Sequence, residues 1–203
     1  MGAGRFIIGL ACAGLALATL SACVSPTGMA IGAAATAGTT ASQERPLSKA
    51  VSDAAIRSEI NYKWGKHDLA LYRKVSLSVI EGRVVLTGSV INPQTRIDAA
   101  RLAWQANGVK EVINEIQVEN WSGVSDRARD EWIQAKIKGR LTLDSGVMSI
   151  NYSIDCVNGT VYVMGIAQSQ DELDRVINHI RDTAYVRGVV SYVRLKDDPA
   201  RKT

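Results

Sequence analysis

The 203-residue sequence predicts an α+β protein built from two tandem copies of one unit, each with two helices packed on one face of a three-stranded sheet. Three observations carry this. First, the chain repeats itself: Gly82-Arg83-Val84-Val85-Leu86-Thr87-Gly88 aligns with Gly159-Thr160-Val161-Tyr162-Val163-Met164-Gly165 at a shift of 77, and Val112, Ile116 and Val118 fall on Val189, Val193 and Leu195 at the same shift. Second, apolar residues recur four apart in the first part of each copy and two apart in the strands that follow. Third, the turn and cap residues stand at matching places in both copies.

The N-terminal segment precedes this organisation. Residues 1–22 carry one basic residue, Arg5, then an uncharged apolar stretch from Phe6 to Leu20 and small residues before Cys23. This is the layout of a secretory signal, and the stretch is too short to span a bilayer. Leu20-Ser21-Ala22-Cys23 resembles a bacterial lipoprotein box, which implies cleavage before Cys23 and diacylglycerol and palmitate carried on that residue. Val24 and Ser25 follow where an Asp would resemble an inner-membrane retention signal, so the outer membrane is favoured. Residues 24–46 are mostly Ala, Gly, Ser and Thr without periodic large apolar residues. They read as a flexible tether reaching roughly 25 Å from the anchor.

The two units are expected over 47–119 and 124–196, with a tail at 197–203. Their first helices, about 49–64 and 126–142, place Ile56, Ile60 and Trp64, or Ile133, Ile137 and Leu141, on one face. Val51-Ser52-Asp53 matches Val124-Ser125-Asp126 at a shift of 73, which predicts four extra residues after the first helix of the second copy. Hairpins close at Glu81-Gly82 and Asn158-Gly159. The second helices start from Asn92-Pro93 and from the capping box Ser169…Glu172. The buried stripe of the second copy is Leu173, Val176, Ile177 and Ile180, whereas the first copy uses Ala99, Ala100 and Ala103. Closing strands alternate over 109–119 and 188–196. The link at 120–123, which holds Trp121, is short enough to keep the copies a compact pair, and Trp104 is a candidate for contact between them.

These elements, with G-x-V-x-L-x-G in the hairpin and Val112-Ile113-Asn114-Glu115-Ile116 in the closing strand, resemble the BON domain. Two of them behind a lipoprotein box resemble the dual-BON outer-membrane lipoproteins, and more distantly the soluble periplasmic stress proteins built from the same module. The resemblance extends to Trp132–Lys138, similar to the membrane-contacting helix of those lipoproteins. It implies a place in envelope integrity, including division sites, with envelope or outer-membrane assembly proteins as partners. Ser191 departs from the pattern, standing where the first copy has Asn114.

Composition and motifs argue against an enzyme. The net charge of +4 falls to +3 without Arg5, too small a surplus for a nucleic-acid binder. His67 and His179 stand one per copy without a sequence neighbour to complete a metal site or triad, so neither a metal nor a catalytic residue is expected. Cys156, alone once Cys12 and Cys23 are set aside, reads as a small buried hydrophobe on a strand. The helix at 126–142 is the informative one. At about 100° per residue, Arg129, Trp132, Lys136 and Arg140 share an arc of about 80°, roughly 90° from the Ile133–Ile137–Leu141 face. An indole among cations suits the interface of an anionic phospholipid membrane. At the shift of 73 the first copy has Glu59, Lys63 and His67 at the last three of these positions, so only the second copy presents the stripe. The other reading is a protein-binding or chaperone-like stress module.

Overall fold

The computed structural model describes residues 47–119 and 124–201. The signal and tether over 1–46, Cys23 included, the link at 120–123 with Trp121, and residues 202–203 lie outside the described residues. The first copy runs α1 (Leu47–His67), α2 (Leu69–Lys74), β1 (Val75–Ile80), β2 (Arg83–Val90), α3 (Pro93–Trp104), β3 (Glu111–Asn114) and β4 (Gln117–Val118). The second runs α4 (Val124–Leu143), a 3₁₀ turn (Ser149–Asn151), β5 (Tyr152–Val157), β6 (Thr160–Ala167), α5 (Gln170–Arg181) and β7 (Gly188–Leu195), followed by a 3₁₀ turn at Pro199–Arg201. In each sheet the middle strand pairs antiparallel with its hairpin partner and parallel with the closing strand, which the second helix of the copy joins to it. The first copy's closing strand is split. Asn114 accepts from the Ile116 amide and donates to the Arg96 carbonyl, so β3 and β4 pair with β2 as separate pieces. Ser191 in the same place, with a shorter side chain, accepts from the Val193 amide at 3.4 Å, and β7 pairs with β6 without a break.

Each hairpin needs left-handed backbone. Glu81 and Gly82 have φ of 56° and 77°, and Asn158 and Gly159 have 52° and 77°. A Cβ on Gly82 would sit 2.7 Å from the Gly108 carbonyl, because the turn is packed under the loop that enters the closing strand. The last glycine of the motif is equally constrained: a Cβ would meet the Lys74 carbonyl at 2.3 Å on Gly88 and the Asn151 carbonyl at 2.7 Å on Gly165.

A buried aspartate ties the first helix of each copy to its turn. Asp53 accepts from the Glu81 and Gly82 amides at 2.8 and 2.9 Å, and Asp130 accepts from those of Asn158 and Gly159 at 2.7 and 2.8 Å. Asp130 also receives the Cys156 thiol at 3.2 Å. Cys156 is therefore buried as expected but hydrogen-bonded, and burial together with this carboxylate pushes its thiol far up, away from thiolate chemistry.

These bonds correct the alignment of the first helices. Asp53 and Asp130 are 77 apart, so the whole repeat keeps one shift, and there is no four-residue insertion. The match at 73 is a slip of one helical turn, which leaves the same face inward. Trp64 accordingly corresponds to Leu141, not to Ile137. Packing agrees: Trp64 is fully buried and donates its indole N–H to the Ala99 carbonyl at 3.1 Å, in space left by Ala99 and Ala103. The second copy fills the same space with the smaller Leu141 against the larger Val176 and Ile180. Volume is conserved across the pair of helices.

The faces not covered by helices pack on each other. Val85 and Thr87 of β2 and Tyr162, Met164 and Ile166 of β6 are buried. Ser78 and Ser153 share a hydrogen bond of 2.7 Å across this seam. Thr87 donates to Asp155, which also accepts from Gln134 of α4 at 3.0 Å. Tyr192 donates to Glu115, and Asn158 donates to Gln117 and Glu119. Trp104 takes no part; it is 54% exposed on α3, so the expectation of an interdomain contact for it is overturned.

Two expectations follow for stability. Asp130→Ala strips the acceptor from two turn amides and should cost about 2–4 kcal/mol in denaturant unfolding, whereas Asp126→Ala, whose exposed pair with Arg129 spans three residues, should cost under about 0.5 kcal/mol. At Asp155, burial is the largest influence and pushes the carboxyl up, against the pull of Thr87 and the Cys156 amide. The folded state therefore favours the protonated acid. The stability linked to it is complete below the ordinary carboxylate range and is lost as pH rises through the raised value. Melting temperature followed across the acid range should show this slope in wild type and a flatter one in Asp155→Asn, which should melt no lower than wild type at neutral pH.

Candidate lipid-binding site

Helix α4 presents the predicted stripe, but its four residues do not share one fate. Ile133, Ile137 and Leu141 are buried, and Trp132 is 46% exposed beside them. Arg129 is exposed, paired with Asp126 at 3.1 Å, and its guanidinium lies 5.7 Å from the centre of the Tyr185 ring. Trp132 meets the same ring edge to face, centroids 5.8 Å apart. Lys136 is exposed one turn further along. Arg140 is drawn aside: it donates to the His179 carbonyl at 3.2 Å and to Thr183 Oγ1 at 3.3 Å, joining α4 to the end of α5. It is a packing residue here, and the cationic surface beside Trp132 consists of Arg129 and Lys136, while Lys138 lies on the other flank of the helix, on the side of Asp155.

Tyr185 is the residue that periodicity missed. It is 65% exposed, with φ of 69°, at the position where the first copy has Gly108 with φ of 87°. A bulky side chain held in left-handed backbone costs about 1–3 kcal/mol. The available signal was Tyr185 aligned with a loop glycine at the shift of 77. Together Arg129, Tyr185 and Trp132 form a cation–aromatic–aromatic cluster at the start of α4, set on a rigid helix and a tight loop.

The corrected alignment also changes the comparison between copies. Ser52, Ala55, Glu59 and Lys63 stand where Arg129, Trp132, Lys136 and Arg140 stand. The pairing of Glu59 with Trp132 is thus replaced by Ala55 with Trp132, while the conclusion that the first copy lacks the stripe holds. Glu59 has its own task, accepting from the Asn107 amide at 3.1 Å and pairing with Lys63 at 3.4 Å. Its carboxyl is held below the ordinary range, first by the Asn107 amide. The helix-to-loop bond is polar in one copy and aromatic in the other.

Each histidine faces an aspartate. His67 Nε2 lies 3.6 Å from Asp98, and His179 Nε2 lies 2.7 Å from Asp144, each pair joining the end of a first helix to a second helix. Asp144 also accepts from the Gly146 amide at 2.8 Å, and its carboxyl is held low, chiefly by His179. Among the described residues no three His, Cys, Asp or Glu gather as metal ligands, and no helix is long and apolar enough to cross a membrane.

The profile of the BON domain matches residues 52–120 and 129–197, the same interval of 77 that the paired aspartates set. An uncharacterised protein of Anaplasma centrale is 44% identical over 153 residues, covering 75% of this chain and all of that protein. A 21 kDa hemolysin of Actinobacillus pleuropneumoniae is 29% identical over 71% of this chain and 76% of its own length. The outer membrane lipoprotein DolP of Haemophilus influenzae is 27% identical over 69% of this chain and 74% of its own. With two matched units covering most of the sequence and a paired aspartate and hairpin in each, the chain belongs to the BON-domain family, as a tandem of two such domains.

Proposed function

We propose that this chain is a non-enzymatic lipoprotein of the outer membrane's periplasmic face, anchored through acylated Cys23, whose second BON domain binds anionic phospholipid. The observation that carries the reading is the Arg129–Tyr185–Trp132 cluster with Lys136 beside it. Two half-exposed aromatic rings are held at the surface, one of them in costly left-handed backbone, and two cations, Arg129 and Lys136, flank them. Indole and phenol rings settle at the boundary between headgroups and acyl chains, and each nearby Lys or Arg adds about 1 kcal/mol at an anionic surface. Similarity to DolP, an outer membrane lipoprotein, supports the location, and the role in envelope integrity and at division sites is part of the same reading.

Binding to a protein rather than to lipid is the second reading. It is favoured by a separate face of the first domain, where Tyr62 and Leu69 are 68% and 54% exposed and Lys66 lies 5.9 Å from the Tyr62 ring centre.

Two experiments test the proposal. In cells, Cys23→Ala should leave the membrane fraction on carbonate washing while wild type stays; full retention of the variant would remove the anchor from the reading. With the purified Cys23→Ala chain, vesicles containing phosphatidylglycerol should bind and neutral ones should not. Adding Trp132→Ala should cost about 1 kcal/mol of stability or less, the worth of an edge-to-face ring pair, yet abolish most of the binding. Lys136→Ala should weaken binding about fivefold. Tyr185→Gly relieves the left-handed side chain, so it should melt at or above wild type and still bind less. Unchanged vesicle binding by both aromatic variants would favour the protein-binding reading.

A further inference from the structure

A second charged feature lies away from α4, at the seam between the two domains. A cavity of about 320 Å³ is lined there by Lys49 of α1, Arg83 of β2, Lys110 from the loop before β3, Arg194 of β7 and Arg201 of the C-terminal 3₁₀ turn. Two carboxylates face the same space, Glu81 and Glu111. Each is shared by two of the cations. Glu81 takes Arg201 at 3.1 Å and Lys49 at 3.4 Å, and Glu111 takes Arg83 at 2.7 Å and Arg194 at 3.6 Å. Five positive and two negative groups leave a surplus of +3 in one recess. The side chains of Arg83 and Arg201 are only 10% and 11% exposed, so solvent screens them poorly.

The field is legible in Glu81 itself. Burial, the largest influence on its carboxyl, pushes it up, yet Arg201 and Lys49 outweigh this and hold it below the ordinary range. A recess with a net positive charge and low-dielectric walls concentrates that field on any anion entering it.

The fold does not require these cations. At the shift of 77 the second copy has Asp126, Asn158, Thr160, Arg187 and Gly188 where the first has Lys49, Glu81, Arg83, Lys110 and Glu111. Its hairpin closes as well with Asn158 bonded to Gln117 and Glu119. The remaining two cations come from the second domain, so the recess exists only when both domains are docked.

We propose that this seam is a binding site for a phosphoryl group, drawn in by the surplus of +3. Arg83 and Arg194 supply planar donors suited to phosphate oxygens, and Lys110 adds a point charge. The group could arrive free in the periplasm or on a lipid headgroup, and the chemistry at the site is the same.

The test uses the full chain carrying Cys23→Ala, with thermal melting at matched ionic strength in chloride, inorganic phosphate, glycerol 1-phosphate or dispersed short-chain phosphatidylglycerol. A ligand that binds the folded form raises the melting temperature with its concentration. Phosphate or glycerol phosphate should raise it above the chloride control, and Lys110→Gln and Arg194→Gln should each weaken the apparent affinity at least about tenfold. Trp132→Ala should leave the response intact, which separates this site from the α4 surface. A rise with the phosphatidylglycerol that vanishes in Arg194→Gln would identify a headgroup as the source, and a rise with the free phosphates alone would identify a soluble phosphate. No rise beyond chloride in any arm, or an equal rise in both glutamine variants, would overturn the proposal and leave the cluster as a clamp on the C-terminal turn.

Discussion

The bond from a buried helix aspartate to two hairpin amides is the constraint on which the rest of each domain depends. Asp53 and Asp130 each hold a left-handed turn whose second residue has to be glycine, because the carbonyl of residue 108 or 185 lies directly over it. A charged acceptor for two otherwise stranded amides is strong enough to fix both the rotation and the axial position of the first helix. Once that helix is placed, Ile56, Ile60 and Trp64, or their counterparts Ile133, Ile137 and Leu141, must fall on the sheet, and the faces left outside are settled too.

The same frame then serves two purposes. Between the end of the second helix and the first, one copy closes with Glu59 on the Asn107 amide, the other with Trp132 on Tyr185. The polar closure keeps its charge engaged. The aromatic closure leaves about half of each ring in solvent and places Arg129 over one of them. A surface of this kind adds little to stability, which leaves it available for a ligand. The left-handed Tyr185 costs the domain free energy that Gly108 does not cost the first, and local strain of that kind gathers where a side chain is needed for something other than folding.

Docking of the two sheets adds what neither copy has alone. Its centre is apolar, with Val85 of β2 and Tyr162, Met164 and Ile166 of β6 all buried, but polar groups from both domains meet around it, and several are partly buried. The half-buried Asp155, bonded from Thr87 of one domain and Gln134 of the other, makes docking favour the protonated acid and weaken as pH rises through its raised range. At the opposite border, Arg201 closes on Glu81 and brings the C-terminal turn onto the first domain, completing a cationic recess to which both domains contribute.

By itself the sequence determined the two units, their order of elements, the hairpin turns, the caps at Asn92 and Ser169, and the buried faces of the helices, because periodicity, turn chemistry and capping are local and leave a mark every few residues. It also placed Trp132 off the core, since helical geometry fixes angle well. It could not fix axial position: residues four apart share a face, so a slip of one turn kept every isoleucine inward and only the Asp–amide bonds revealed it. The unbroken apolar run Val161–Met164 carried a sign that β6 is covered on both faces, yet nothing local names the partner surface. Tertiary structure alone decided that Arg140 turns to the end of α5, that Tyr185 joins Trp132, and that cations from five separate elements meet at the seam. Each of these depends on groups distant in sequence, whose approach is set by docking and by the left-handed loop rather than by any pattern along the chain.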